Sequence, residues 1–138
     1  MDSPDGRQRT ARCGCGALSV ATHGEPLDVY ACACVRCRAR SGSAFSYAGL
    51  FKETAISVAG PFQVWRRTAD SGRTLENAFC PSCGSTVFFR TEAWPDIVGV
   101  AAGCFAEQDF PRPERLYWAA RRHAWLCLPA GTPMIETQ

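Results

Sequence analysis

Seven of the nine cysteines in the chain stand in three short clusters, a pattern that could bind metal ions. The clusters read CGC at residues 13–15, CACVRC at 32–37 and CPSC at 80–83. A structural zinc site takes four protein ligands, whereas a catalytic zinc site keeps three and leaves one position open. Seven clustered thiols therefore predict one site of each kind.

The first and third clusters each supply half of a four-thiolate site. Side chains two apart on a strand point to the same side, so Cys13 and Cys15 can present both sulfurs to one metal. Cys80 and Cys83 stand three apart in CPSCG, where the proline and the glycine favour a tight turn. We predict that these four cysteines hold a structural zinc. The alternative is chance spacing or redox pairing of the thiols.

The central cluster can hold a metal from three sides without help from another segment. Cys32 and Cys34 have the spacing of a strand, and Cys34 and Cys37 have the spacing of a turn. The only histidines, His23 and His123, do not lie at ligand spacing from a cysteine. We predict that the three cysteines are catalytic and bind a second zinc with an open position. A purely structural, vacant or partly occupied site is the alternative.

Composition limits the class of protein. A chain of 138 residues that is 46 % hydrophobic has the size and apolar content of one compact domain. Its net charge of +2 is too small to indicate nucleic acid or an anionic membrane as a partner. The sequence shows neither a signal peptide nor a long apolar run, so we predict a cytoplasmic protein. Thiols persist in that compartment, which favours metal binding over disulfides.

Short segments rich in β-branched and aromatic residues, separated by glycine and proline, must position these cysteines. They predict a mainly β fold of packed antiparallel sheets with little helix. The segments are ALSVATHG, LDVYACA, FSYAGLF, FQVWRRT, TLENAFC, TVFFRT and DIVGVAA. The stretch LYWAARRHAWL could be a strand or a short helix. We expect a flexible tail at 1–10, a zinc-stabilised domain at 11–128 and a second tail at 129–138.

The order of the motifs resembles the glutathione-dependent formaldehyde-activating enzyme family, which includes centromere protein V. The motifs are CGCG, CACVRC, FCPSCG, DIVGVAAGCF, PERLYW and HAWL, and they span about residues 11–128. The resemblance implies a β-tent fold with one zinc on the residues matching Cys13, Cys15, Cys80 and Cys83. It implies a second zinc, associated with the chemistry, on those matching Cys32, Cys34 and Cys37.

The resemblance also implies a carbon-sulfur lyase, or in the other direction an enzyme that joins glutathione to formaldehyde as S-hydroxymethylglutathione. Two positions depart from the family pattern. Ala33 and Arg115 stand where many members have histidine, which weakens the transfer of the formaldehyde and glutathione activity specifically. Neither change removes a predicted zinc ligand.

A small-molecule thiol or thiol-aldehyde adduct is the predicted partner, with the thiol bound at the open zinc position. Arg36, Arg38 and Arg40 follow the central cluster and are candidates to hold the carboxylates of such a thiol, with surface solvation as the alternative. A second function class is a non-catalytic, zinc-stabilised module that binds protein or nucleic acid. Only two arginine pairs could form a basic face, so the sequence disfavours nucleic acid.

Overall fold

Two sheets form the architecture of the computed structural model, which describes residues 6–69 and 72–137. In that part of the chain, the strands are β1 Gln8–Arg12, β2 Ser19–His23, β3 Asp28–Cys32, β4 Ser46–Lys52, β5 Ile56–Ala59, β6 Gln63–Thr68, β7 Thr74–Phe79, β8 Thr86–Thr91, β9 Ile97–Ala101 and β10 Leu116–Tyr117. The helix α1 spans Val35–Ser41, and 3-10 turns lie at Glu53–Ala55, Ala102–Cys104 and Ala119–Arg121.

The smaller sheet has the order β1-β2-β5, and the larger has the order β10-β3-β4-β9-β8-β7-β6. Every neighbouring pair is antiparallel except β10 with β3. The predicted mainly β fold with antiparallel sheets and little helix is confirmed, and each of the seven predicted segments contains a strand.

The main core lies between the two sheets, because alternate residues of each strand point to opposite faces. One face of the large sheet contributes Phe51, Phe88 and Val100, which pack with Val20 of the small sheet. Each of these side chains is nearly or fully buried, and burial of one such side chain contributes about 1.5–3 kcal/mol. The other face carries a smaller cluster that includes Leu50 and Phe89. Because this second face of the large sheet does not pack against the small sheet, it can line a site.

The ordered domain starts earlier than the predicted boundary. β1 begins at Gln8, inside the segment expected to be a tail, while residues 1–5 lie outside the described residues. The strand pairs with β2 along its whole length, and its Arg9 is 4 % exposed, lies 3.2 Å from a carboxylate oxygen of Glu25 and stacks on the ring of Phe110. These contacts fix a strand whose polar sequence, QRTAR, gave no apolar signal.

The C-terminal segment also packs against the domain instead of leaving it as a tail. The backbone N–H of Ile135 donates to Leu116 at 2.8 Å, and the N–H of Ala119 donates to Ile135 at 2.9 Å. The stretch LYWAARRHAWL forms neither a full strand nor an α-helix: β10 ends at Tyr117 and a 3-10 turn follows. Trp118 separates the two elements with a positive φ of 55°.

In residues 6–69 and 72–137, no helix combines the length and the apolar character that crossing a membrane would require.

Gly99 of β9 is needed because the ring of Phe89, its partner on β8, lies directly over it. A Cβ at this position would overlap the ring, so Gly99→Ala must displace a buried aromatic side chain. We expect the free energy of unfolding to fall by about 1–3 kcal/mol, measured by urea denaturation. The matched control is Gly103→Ala, whose Cβ would meet nothing within 4 Å. Equal stability of the two variants would contradict this packing argument.

Candidate metal centres and the adjoining cavity

The first and third cysteine clusters meet at the ends of two strands. Cys13 follows β1 and Cys80 follows β7, while Cys15 and Cys83 lie in the turns that come next. The four sulfurs lie within 4.8 Å of one another. Two separations, Cys13 to Cys15 and Cys15 to Cys80, are 3.7 Å. Zinc–sulfur bonds of about 2.3 Å in a tetrahedron place sulfurs about 3.8 Å apart, so the donor set fits such an ion.

The turns in this four-cysteine cluster also direct hydrogen-bond donors at sulfur. The backbone N–H of Leu18 donates to Sγ of Cys13 at 3.2 Å, and the N–H of Ser82 donates to Sγ of Cys80 at 3.4 Å. The Leu18 N–H lowers the pKa of the Cys13 thiol below its usual range. The hydroxyl of Ser85, 3.3 Å from Sγ of Cys83, is the main cause that lowers the pKa of Cys83 to about 5. At Cys13 and Cys83 the lowered pKa favours the thiolate form that a metal requires.

The central cluster is built by the end of β3 and the start of α1. Cys32 is the last residue of β3, Cys34 is the N-cap of α1 and Cys37 lies in its first turns. Their sulfurs lie within 4.8 Å of one another, and Sγ of Cys34 accepts the backbone N–H of Cys37 at 3.3 Å. The side chain of Cys34 thus replaces the serine or aspartate that commonly caps a helix. The structure brings these three predicted residues together as a three-sulfur donor set.

Protons are shared unequally among the three thiols. Hydrogen bonds from Cys32 and then Cys34 lower the pKa of Cys37 far below its usual range. The same contacts, with Cys34 first and Cys37 next, raise the pKa of Cys32, and burial raises it further. Three thiolates this close require a cation, because like charges in a partly buried site disfavour joint ionisation. The cluster could therefore hold a metal ion, as could the four-cysteine cluster.

Ala33, one of the two departures from the motif pattern noted in the sequence, faces away from this chemistry. Its side chain is fully buried in a small core with Ala31, Leu116 and Ala119. Arg115, the second residue that departs from the motif pattern, lies 2.6 Å from a carboxylate oxygen of Asp28. Arg115 does not line the cavity described next. Both residues have structural contacts that account for them.

A cavity of about 580 Å³ opens beside the central cluster, and Cys32, Cys34 and Cys37 all line it. Residues from β6, β7 and β8 lie across from them, including Leu75, Asn77, Phe89 and Thr91. No lining residue in the described part of the chain is acidic, whereas five are arginines: Arg36, Arg40, Arg67, Arg73 and Arg121. Such a cavity favours a ligand with more than one negative charge.

The three arginines singled out in the sequence do not share one environment. Arg36 and Arg40 line the cavity, but Arg38 does not. Instead, Nε of Arg38 donates to the carbonyl oxygen of Ala33 at 3.1 Å, and its Nη1 lies 3.2 Å from Nε2 of His123. Arg38 therefore ties the loop between Cys32 and Cys34 to the C-terminal segment.

Sequence reasoning missed several cavity residues, of which Asn77 and Trp118 are the most informative. Asn77 is a polar amide in the middle of the predicted strand TLENAFC, and this unusual position was the signal in the sequence that could have marked it as a site residue. Trp118 has left-handed backbone angles, φ 55° and ψ 42°, and its ring lies 5.6 Å below the guanidinium of Arg121. Such a conformation costs a bulky residue on the order of 1–3 kcal/mol and is concentrated at functional sites.

Comparison with known proteins adds a family and a fold. The model of a family described as glutathione-dependent formaldehyde-activating enzyme matches residues 8–126. The chain is also similar to the crystal structure of a Rhodobacter sphaeroides protein, a Northeast Structural Genomics target, with a TM-score of 0.55 and 22 % identity. That match covers 69 % of this chain and 85 % of the other, and shows a shared fold. No curated protein matches the sequence significantly.

Proposed function

Because the chain belongs to the glutathione-dependent formaldehyde-activating enzyme family, we propose that it is a carbon-sulfur lyase acting on thiol-aldehyde adducts. The observation that carries the proposal is the position of Cys32, Cys34 and Cys37 in the wall of an arginine-lined cavity. A substrate of the S-hydroxymethylglutathione type has a sulfur for the cluster and carboxylates for the arginines. The proposal includes a cytoplasmic location, where the thiols stay reduced.

Zinc is the metal that suits these donors, since both clusters offer only thiolate sulfur. The four-cysteine cluster would hold a structural ion, and the three-cysteine cluster would hold one with room for a further ligand. When bound in the second cluster, zinc lowers the pKa of a coordinating thiol and can polarise an oxygen. Three thiolate ligands weaken the second effect, so we favour thiol binding.

The reaction needs no oxidant or reductant. In the lyase direction the carbon-sulfur bond of the adduct breaks, the hydroxyl proton leaves its oxygen, and formaldehyde and the thiolate are released; protonation of sulfur completes the balance. In the other direction the thiol sulfur adds to the aldehyde carbon, and a proton goes to its oxygen. The protein's part is to orient the two reactants and to exclude water.

Orientation comes from the arginines. Arg40, Arg67 and Arg121 have no carboxylate partner in the described part of the chain, so each can pair with a substrate carboxylate. Trp118 and Phe89 provide apolar walls that contact the carbon skeleton.

The test is the rate at which formaldehyde and S-hydroxymethylglutathione exchange, measured by exchange NMR with zinc-loaded protein. We expect the wild type to accelerate exchange at least tenfold over the same mixture without protein. Arg67→Ala should lower kcat/KM by about tenfold, as expected for one lost charge-assisted hydrogen bond. The control is Arg66→Ala, because Arg66 is on the opposite face of β6 and pairs with Glu76.

An absence of acceleration by fully metal-loaded wild type would contradict the enzyme proposal. A salt-dependent shift of labelled nucleic acid by the same protein would then favour the binding module. Equal losses in Arg67→Ala and Arg66→Ala would contradict the role given to the cavity arginines.

A further inference from the structure

Asn77 lies in the floor of the arginine-lined cavity and is almost completely buried, with 2 % of its surface exposed. The register of the sheet places it opposite Trp65 on β6 and Phe89 on β8. Leu75, two residues earlier on the same strand, lines the cavity as well. The side chain of Asn77 therefore belongs to the cavity face of the large sheet and not to the core between the sheets.

The amide nitrogen of Asn77 has no hydrogen-bond partner among the described residues. Buried donors are almost always paired, because an unpaired one destabilises the fold. Its neighbours on this face, Leu75 and Phe89, are apolar, and the hydroxyl of Thr91, which accepts the backbone N–H of Ala93 at 3.2 Å, makes no hydrogen bond with it. A leucine would suit this environment better than an asparagine. An asparagine is explained at this position if a bound ligand supplies the hydrogen-bond acceptor for its amide nitrogen.

The surroundings indicate which acceptor this is. The other polar side chains that reach the cavity are mainly arginines, which attract carboxylates and offer no acceptor of their own. β7 is separated from β3 by β8, β9 and β4 in the large sheet. A ligand whose sulfur lies near Cys32 must therefore extend well beyond that sulfur to reach Asn77.

We propose that Asn77 is a specificity-determining residue, which donates a hydrogen bond from Nδ2 to a carbonyl or carboxylate oxygen in the body of an acylated, anionic thiol. This inference rests on the proposed function for the identity of the ligand as a thiol. It distinguishes extended peptide-like thiols from short ones such as 2-mercaptoethanol, which cannot reach β7. A site that hydrogen-bonds its substrate rejects an analogue without that group strongly, because the buried donor then stays unpaired.

The test measures binding of S-methylglutathione to the zinc-loaded full chain by calorimetry. This probe has no free thiol, so its binding reports recognition of the ligand body. We expect Asn77→Leu to raise Kd about tenfold, while Tm does not fall because an unpaired buried donor has been removed. A merely structural asparagine would give the opposite result, with a lower Tm and an unchanged Kd.

Thr22→Val is the matched control. Thr22 is fully buried in the small sheet, and its hydroxyl oxygen also has no partner in the described part of the chain. Removal of this hydroxyl should leave Kd unchanged and should not lower Tm. If Asn77→Leu fails to fold, Asn77→Asp keeps the shape, replaces the donor by a carboxylate and should weaken binding more than tenfold.

Two outcomes would overturn the inference: no binding of S-methylglutathione to the wild type at millimolar concentration, or a Kd within twofold of wild type for Asn77→Leu and Asn77→Asp. The proposed function can fail separately. Binding that depends on Asn77 without accelerated formaldehyde exchange would support the inference and contradict the lyase proposal. Accelerated exchange, together with binding that does not depend on Asn77, would support the lyase proposal and contradict the inference.

Discussion

Cys80→Ser is expected to remove one metal ion per chain and to lower the free energy of unfolding by roughly 4 kcal/mol or more. Cys80 is fully buried, and its sulfur lies 3.7 Å from that of Cys15, which is 65 residues away in sequence. The four-cysteine cluster therefore joins the turn after β1 in the small sheet to the turn after β7 in the large one. Serine is a poor zinc ligand, so the substitution leaves only three thiolates in a site that needs four ligands to close.

The measurements are the metal content per chain and Tm, which should fall by roughly 15 °C for a domain of this size. A chelator should lower the Tm of the wild type in the same way, and a lower pH should weaken metal binding because the ligands must be deprotonated. Cys127→Ser is the control, since Cys127 is exposed and belongs to neither cluster. A Cys80→Ser protein with an unchanged Tm and metal content would contradict the structural role.

Local patterns in the sequence predicted much of this fold. The seven strand segments were recognisable because β-branched and aromatic residues recur between glycines and prolines. Each cysteine pair has a local spacing that suits metal ligands, and a structural zinc needs four of them. The grouping of Cys13 and Cys15 with Cys80 and Cys83 could therefore be anticipated. Strand β1 was missed because Arg9, one of its two buried residues, is charged and is buried only through contacts with distant residues. Cys127 stands in the apolar run WLCLP, a pattern typical of a buried residue, but it is exposed because Leu126 takes the inward position next to it.

The cavity could not be predicted, because it depends on which strands are neighbours and in which register. Arg67 and Asn77 become part of the same surface as Cys32 only through the order β3-β4-β9-β8-β7-β6. No pattern within a single segment encodes that order. The helix α1 was also missed, since VRCRARS has no apolar period and buries no residue. Its start depends on a cysteine cap, which sequence rules for helix ends do not include.

The two clusters differ in what their loss should do. The four-cysteine cluster connects strands of both sheets, whereas the central cluster belongs to β3, α1 and the cavity on the far side of the large sheet. Stability and activity should therefore separate: removal of the first should destabilise the protein, and removal of the second should leave a stable but inactive one.

Cys34→Ser tests that separation and is expected to reduce the bound metal from two ions to one with little change in Tm. The half-buried Cys34 caps α1 by accepting the N–H of Cys37, and serine is a preferred residue at that position. The helix should persist while the metal site loses one of its three sulfurs. Formaldehyde exchange should fall by about 100-fold or more, because the substrate thiol is no longer activated.

Metal analysis, thermal denaturation and exchange NMR on the same preparation check this expectation, with Cys127→Ser again as the control for loss of a thiol. Binding of S-methylglutathione should survive in Cys34→Ser, since Asn77 and the cavity arginines are unchanged. A variant that keeps two ions and full activity would contradict the catalytic role proposed for the central cluster. A variant that unfolds would contradict the assignment of separate structural and catalytic roles to the two clusters, since both would then be needed for the fold.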